Sequence, residues 1–424
     1  MNKINLIILV FIFGSFVACK KEVKETWGVW NSDPVQGINI TPINGGATVS
    51  YDLPADDNLL YVMVEYERNG KIFTEKASVY KNTFTIEGFN TTGPVKATLY
   101  KVNKQGQRSE PAEIEFTPLE SLVSIAEKSL RLQPGFGGIV ANWSNPYATE
   151  LGVRVLVKDS TGEWVDREMY FTTIQDERHS FRGFEPKLIE TAFSFEDKWG
   201  NVSDTVYYST TPYFETMVSK PYADYRSNIP YDNTSTYNTS SRPISRLWDG
   251  IVNTAGNGWL TSPGYSGLSM TFDMKQVVKL SRIIIHGYHI NSPYTQANIT
   301  QFELWGTNKI DYYRLSDLPY WLDSLSVRWG AIAGVDPTTE LPTVSFKNDW
   351  QYLGWYSIPR YTATADIYNL AASGAEYEMP IDANPVRYVR LFVREITSIT
   401  PPPSNNYWSM GEITFYGDNT VPQQ

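Results

Sequence analysis

Two stretches of this chain repeat one another at a nearly constant spacing, and this constrains the architecture more than any other feature. Gly45-Gly46-Ala47-Thr48-Val49-Ser50-Tyr51-Asp52-Leu53-Pro54 aligns with Gly137-Gly138-Ile139-Val140-Ala141-Asn142-Trp143-Ser144-Asn145-Pro146. The dipeptide Asn69-Gly70 aligns with Thr161-Gly162, and both landmarks are displaced by 92 residues. Lys104-Gln105-Gly106 aligns with Lys198-Trp199-Gly200, and Phe116-Thr117-Pro118 with Thr210-Thr211-Pro212, at a displacement of 94. A unit of about 93 residues is one small domain, and its duplication means one fold used twice. Inside the unit the pattern is β-branched and alternating. Leu59 to Arg68 is expected to be a strand, Asn69-Gly70 a tight hairpin turn that needs positive φ, and Lys71-Ile72-Phe73-Thr74 the start of the return strand. This is an antiparallel meander; no long amphipathic helix interrupts the first half.

Both units resemble fibronectin type III modules, a kind of immunoglobulin-like sandwich. Each has an aromatic expected to point inward, Tyr51 or Trp143, and a final hairpin with a polar glycine turn. The resemblance assigns residues 34–118 to the first module and 119–212 to the second. Such modules act as spacers or interaction domains, and the fold by itself does not give a function.

Residues 213–418 carry a different series of landmarks, followed by a short tail at 419–424. Leu247-Trp248-Asp249-Gly250 leads to Asn253-Thr254 and Trp259. Leu268 to Met274 and Val278 to Gly287 follow, then Thr300-Gln301-Phe302-Glu303-Leu304-Trp305-Gly306-Thr307. Val386 to Val393 and Met410-Gly411-Glu412-Ile413-Thr414-Phe415-Tyr416-Gly417 close the series. In this order they resemble a discoidin (coagulation-factor type C) domain, similar to the galactose-binding-like modules of bacterial glycosidases. The resemblance implies a jelly-roll β-sandwich. The expected fold is therefore all-β: two tandem immunoglobulin/fibronectin III-like sandwiches, then a galactose-binding-like jelly roll. One departure is the stretch from Lys309 to Tyr361, longer than the usual connection. It holds Trp321, Trp329, Trp350 and Trp355 and would either extend the binding face or cover it.

The N-terminus reads as an export signal. Lys3 precedes the apolar run Leu6 to Phe13, which is short of the roughly 20 residues that span a bilayer. Small residues and then Cys19 follow, and residues 1–19 resemble a bacterial lipoprotein signal in which that cysteine is acylated; the alternative is a plain signal with an incidental cysteine. Residues 20–33 form a charged tether whose glutamates, placed after two lysines, resemble the export tag of surface lipoproteins in Bacteroidetes. The implied location is the outer membrane, lipid-anchored and facing the cell exterior. Cys19 is the single cysteine, so no disulfide can form within the chain.

Composition narrows the partners. A net charge of −10 leaves no basic stripe to neutralise phosphates, which argues against nucleic acid. Three histidines and one cysteine argue against a Cys/His metal site. There is no Gly-x-Ser-x-Gly elbow, His-Glu-x-x-His helix or phosphate loop, and no spacing singles out a catalytic carboxylate pair, so a non-enzymatic role is expected. Aromatic residues reach 14%, with 28 Tyr and 13 Trp. Sugar-binding surfaces use such rings because the apolar face of a pyranose packs on them, although most aromatics in β-proteins are core formers.

The discoidin resemblance also implies site residues. Its first motif often holds a calcium ion, and hard cations want oxygen ligands. Carried over by motif, the ligands are Asp249, Thr254 and Glu412, with Asn253 optional. A simple turn at Asp249-Gly250 and an ordinary strand residue at Glu412 are the alternatives. The sugar site would lie on loops at one end of the sandwich. The first is the loop after Ile283, with His289 and Asn291 and also His286, Tyr288, Tyr294 and Asn298. The second follows Arg390, with Arg394, Tyr407 and Trp408 and the stiffening run Pro401-Pro402-Pro403. For any one of these residues ordinary packing is the competing reading, as for His286 on its apolar strand. The expected function is glycan binding by a lipid-anchored protein, accessory to polysaccharide capture and uptake beside a TonB-dependent transporter and its partner lipoprotein. The rival is an adhesion or assembly lipoprotein that binds a protein. Exposed aromatics with planar polar neighbours at the loop end favour sugar, a broad apolar patch, especially on the Trp-rich insertion, favours protein, and a buried insertion favours neither.

Overall fold

The computed structural model describes residues 30–262, 267–289, 293–294, 297–328, 335–397 and 407–422; Cys19 and Asn291 lie outside them, as does Trp329. The chain is all-β. Strands β1 (Asn39–Ile43), β2 (Gly46–Ser50), β3 (Leu59–Arg68), β4 (Lys71–Ser78), β5 (Thr83–Glu87), β6 (Val95–Asn103) and β7 (Ala112–Phe116) make the first sandwich. Sheet β1-β2-β5 faces sheet β4-β3-β6-β7. The second sandwich has α1 (Leu122–Ser129), β8 (Arg131–Gly135), β9 (Gly138–Ser144), β10 (Leu151–Lys158), β11 (Trp164–Thr172), β12 (Asp176–Arg182), β13 (Ile189–Asp197) and β14 (Val206–Thr210). Its sheets, β8-β9-β12 and β11-β10-β13-β14, repeat the first strand for strand.

The paired glycines of the repeat explain themselves here. Gly45 and Gly137 turn the chain at φ 63° and 61°, a left-handed conformation that glycine adopts without strain. Gly46 and Gly138 lie so close to the next strand that a Cβ would sit 2.0 Å from the Ile86 carbonyl oxygen and 1.8 Å from that of Phe181. Tyr51 and Trp143 are buried in their respective cores, as their inward assignment requires. The hairpins differ in detail. Asn69 and Gly70 both have positive φ in a two-residue turn. In the second unit, where Thr161 stands in place of Asn69, only Gly162 does, and the Asp159 carboxylate holds the longer loop by accepting from the Thr161 and Glu163 amides at 2.8 and 3.0 Å.

One linkage joins each unit to the next. Leu119 leaves the first sandwich accepting from the Gly45 amide and donating to the Ile43 carbonyl, both at 3.0 Å. Tyr213 leaves the second by the same pair, accepting from Gly137 at 2.8 Å and donating to Gly135 at 2.9 Å. An ionic cluster then ties the second sandwich to the third. Arg182 meets Glu215 at 3.1 Å and Glu378 at 2.6 Å, and Arg178 also pairs with Glu378.

The C-terminal sandwich comprises β15 (Thr216–Met217), β16 (Ala223–Asp224), β17 (Trp259–Leu260), β18 (Ser269–His286), β19 (Ile299–Thr307), β20 (Gln351–Ser357), β21 (Ala375–Glu378), β22 (Val386–Ile396), β23 (Ser409–Met410) and β24 (Glu412–Asp418). Strand β18 serves both layers. Its first half pairs with β16 and β22, the ladder breaks between Asp273 and Val278, and its second half pairs with β21 and β24. Side chains alternate along a strand, and on β22 both sets are covered. Val389, Leu391 and Val393 enter the sandwich core. Tyr388, Arg390, Phe392 and Arg394 point the other way, beneath the 309–361 insertion, which contributes α2 (Ser324–Arg328), α3 (Phe346–Asp349), Trp321 and Trp350. A further helix, α4 (Thr364–Ser373), lies before β21. The Trp-rich insertion therefore covers this sheet face, with Trp321 only 1% exposed.

Burying two arginines requires matched anions. Arg390, 0% exposed, donates from Nε to Asp232 at 2.9 Å. Arg394 donates to Glu303 at 2.8 Å and to both oxygens of Asp323 at 2.7 and 3.0 Å, and Lys347 adds a 2.9 Å contact to Asp323. Burial by itself would raise the Asp323 pKa; Arg394 and Lys347 overcome it and hold the carboxyl well below the usual range. Its stabilising contribution is thus complete above the unfolded-state pKa and is lost as pH falls. We expect Asp323→Asn to lower the unfolding free energy by about 3–5 kcal/mol at neutral pH. The deficit relative to wild type should shrink below about pH 4 in denaturant titrations run as a pH series.

Candidate functional site

The loop-end residues expected from sequence divide into two groups. Several are packing residues. Trp408 is 3% exposed; its ring meets Trp259 edge-on at 4.9 Å, and its Nε1 donates to the Gly267 carbonyl at 3.3 Å. No face is open for a sugar, so the expected stacking role is replaced by a core role. Arg394 is consumed by the carboxylates described above and is likewise structural. Tyr288 and Asn298 are buried, and the Asn298 side chain clamps the backbone of Tyr288, donating to its carbonyl at 3.1 Å and accepting from its amide. His286 sits in the interior, where burial lowers its pKa and favours the neutral ring. Tyr407 is half-buried against the same core.

Others stay at the surface. His289 is half-buried and lies edge-on to Tyr368 of α4 at 5.9 Å. A bridge joins His289 to Pro293, which leads to Tyr294. These two border a cleft of 230 Å³ that sequence reasoning missed. Its floor is Ile358 and Leu370, and its polar groups are Thr300, Arg360 and Thr397. Tyr361 stands at its edge, 46% exposed. The Arg360 guanidinium is held in place by the Thr300 hydroxyl at 3.1 Å and by Glu395 at 2.7 Å, leaving part of its planar fork open to solvent. The Ile358 amide donates to the Thr300 carbonyl at 2.7 Å, and the Thr397 hydroxyl accepts from the Asn298 amide at 3.1 Å, which fixes the walls. The cleft draws on the end of the insertion, α4, and the ends of β19 and β22, so no single stretch of sequence announces it. The nearest signal was the exposed pair Arg360-Tyr361 directly after Pro359.

The expected cation ligands do come from one region, but their chemistry does not fit calcium. Hard cations take about six to eight oxygens as electron-pair donors. Here the acceptors already face N–H groups. Asp249 accepts from the Ile251 amide at 2.9 Å, from Asn257 at 3.3 Å and from Arg246 at 3.2 Å. Oε1 of the buried Glu412 accepts from the Gly250 amide at 3.2 Å and from the Lys220 ammonium. Thr254 donates its hydroxyl to the Val252 carbonyl at 3.2 Å. Of the side-chain oxygens of Asp249, Thr254 and Glu412, Glu412 Oε2 alone is buried with no hydrogen-bond partner among the described residues. Burial raises the pKa of this carboxyl, and Lys220 and the Gly250 amide oppose the rise.

Three families match successive parts of the chain. Residues 32–118 match a domain of unknown function (DUF4959), residues 119–221 another (DUF5126), and residues 248–417 a third (DUF5000). No curated protein matches it. Among solved structures it is similar to a SusE-like protein, at 19% identity over 70% of this chain and 98% of that one, with a TM-score of 0.34. It is also similar to a two-domain fibronectin type III segment of chicken tenascin, at 12% identity over 42% and 99%, with a TM-score of 0.21. A third is the F5/8 type C domain of a Bacteroides fragilis protein, at 13% identity over 47% and 96%, with a TM-score of 0.26.

Trp408→Ala should lower stability by about 3–5 kcal/mol through loss of a buried ring, read as an earlier chemical-denaturation midpoint.

Proposed function

We propose that this protein binds a glycan through the cleft between Tyr294, Arg360 and Tyr361 on its C-terminal sandwich. The observation that carries this reading is the composition of the cleft. An apolar floor is combined with an exposed aromatic ring, a fixed guanidinium and two threonine hydroxyls, within a volume of 230 Å³. A pyranose presents an apolar face and a ring of hydroxyls, and this arrangement answers both. In the full reading, Cys19 carries a lipid that anchors the chain to the outer membrane, facing outward. The two repeats carry the sandwich away from the bilayer, and the protein serves polysaccharide capture beside a TonB-dependent transporter and its partner lipoprotein.

A second reading, adhesion or assembly through a protein partner, is favoured by a different surface. Edge strand β11 exposes Trp164, Val165, Met169 and Phe171, the last at 61%. Exposed edges with apolar side chains are sites where another chain can pair.

Affinity electrophoresis through gels containing soluble polysaccharides separates the two. Retardation by one polysaccharide is expected, with Tyr361→Ala and Arg360→Ala each weakening it by about tenfold, as for the loss of one direct contact of about 1.4 kcal/mol. If no polysaccharide retards the folded protein, the glycan reading fails, and capture of an outer-membrane protein that is lost in Phe171→Asp would establish the second.

A further inference from the structure

We propose that Lys220 supplies from within the chain the positive charge that a bound cation would bring to Glu412, so that the C-terminal sandwich holds its Asp249-Gly250 loop without a metal. This goes beyond the glycan reading and does not rest on it. Strand pairing brings Lys220 to the site. Strand β15 runs antiparallel to β24, with Thr216 opposite Gly417 and Met217 opposite Tyr416. The Val218 amide continues the ladder by donating to the Phe415 carbonyl at 2.9 Å, and Phe415 in turn donates to the Tyr222 hydroxyl at 3.1 Å. The chain is thus held on both sides of Lys220, by the backbone of Val218 and by the side chain of Tyr222. Its ammonium is delivered between Glu412, which it pairs with, and the Thr414 hydroxyl, 2.8 Å away.

Charge balance explains why a lysine suits this place. Glu412 is 1% exposed, and a buried carboxylate without a counter-charge is strongly unfavourable. One ammonium neutralises it. A divalent ion in the same position would leave excess positive charge in a low-dielectric interior, because the other carboxylate of the motif, Asp249, is matched by Arg246 at 3.2 Å. Each motif carboxylate therefore has its own basic side chain. The Gly250 amide, donating to Glu412 at 3.2 Å, couples this pair to the loop that the motif forms. That loop is in turn tied to the candidate sugar-binding end, since the Gly256 amide donates to the His289 carbonyl at 2.7 Å.

Thermal unfolding of the full chain in millimolar calcium and in chelator gives the first test. The wild-type midpoint is expected to be the same in both, whereas a resident calcium site would raise it by several degrees. The second test is a double-mutant cycle between Lys220→Met and Glu412→Gln. Each single variant leaves a buried charge unpaired and should melt several degrees lower, whereas the double variant should lose clearly less than the two losses combined. A calcium-dependent rise in wild type that disappears in Glu412→Gln overturns the proposal, and so do strictly additive losses. If a variant does not fold, the calcium comparison on wild type still decides.

Discussion

Strand β22 organises the C-terminal sandwich because it is buried on both faces. One face of aliphatic side chains closes the sandwich core, and the other carries Arg390 and Arg394 into a second interior roofed by Trp321, Phe346 and Trp350. Buried guanidinium groups tolerate little displacement, since each needs its carboxylates at hydrogen-bonding distance. The insertion is consequently held in one position: Asp323 and Lys347 come from it, Glu303 from β19, and Asp232 from the segment before β17. Phe346 also places its ring 4.7 Å from the Arg390 guanidinium, a cation–π contact that is strongest when water is excluded. With the insertion clamped, its last residues, Ile358 to Tyr361, emerge at a defined place, and that is where the candidate cleft forms.

Charge is handled in the same way throughout this domain. Interior carboxylates meet basic side chains from distant parts of the chain: Asp232 with Arg390, Asp323 with Arg394 and Lys347, Glu412 with Lys220. The Arg182–Glu215–Glu378 cluster extends the practice across the junction with the second sandwich. Exposed ion pairs contribute little to stability, but partly buried networks constrain geometry strongly. The repeated backbone linkage at Leu119 and Tyr213 adds the same constraint at each junction.

Local periodicity made much of the fold legible. The strand over Leu59 to Arg68 and the Asn69-Gly70 turn are properties of neighbouring residues, and each appears in the structure as read. The 92- to 94-residue repeat led to two sandwiches of identical strand order for the same reason, as duplicated local patterns fold alike. The site was less legible. Trp408 and Arg394 have the residue types of a sugar site, and a sequence does not reveal that each side chain is already surrounded. Conversely, Thr300 stands 60 residues before Arg360, and beyond the adjacent pair Arg360-Tyr361 nothing in the spacing marks a shared cleft.

What the sequence determined by itself is what depends on short-range chemistry: the all-β class, the duplication, the turns, the inward aromatics and the absence of any internal disulfide. Tertiary structure decided which polar and aromatic groups remain available. That depends on long-range complementarity of charge and shape. Whether Glu412 meets a metal or Lys220, and whether Trp321 and Trp350 face solvent or roof an arginine pair, depends on partners nearly two hundred residues away in one case and across a sheet in the other.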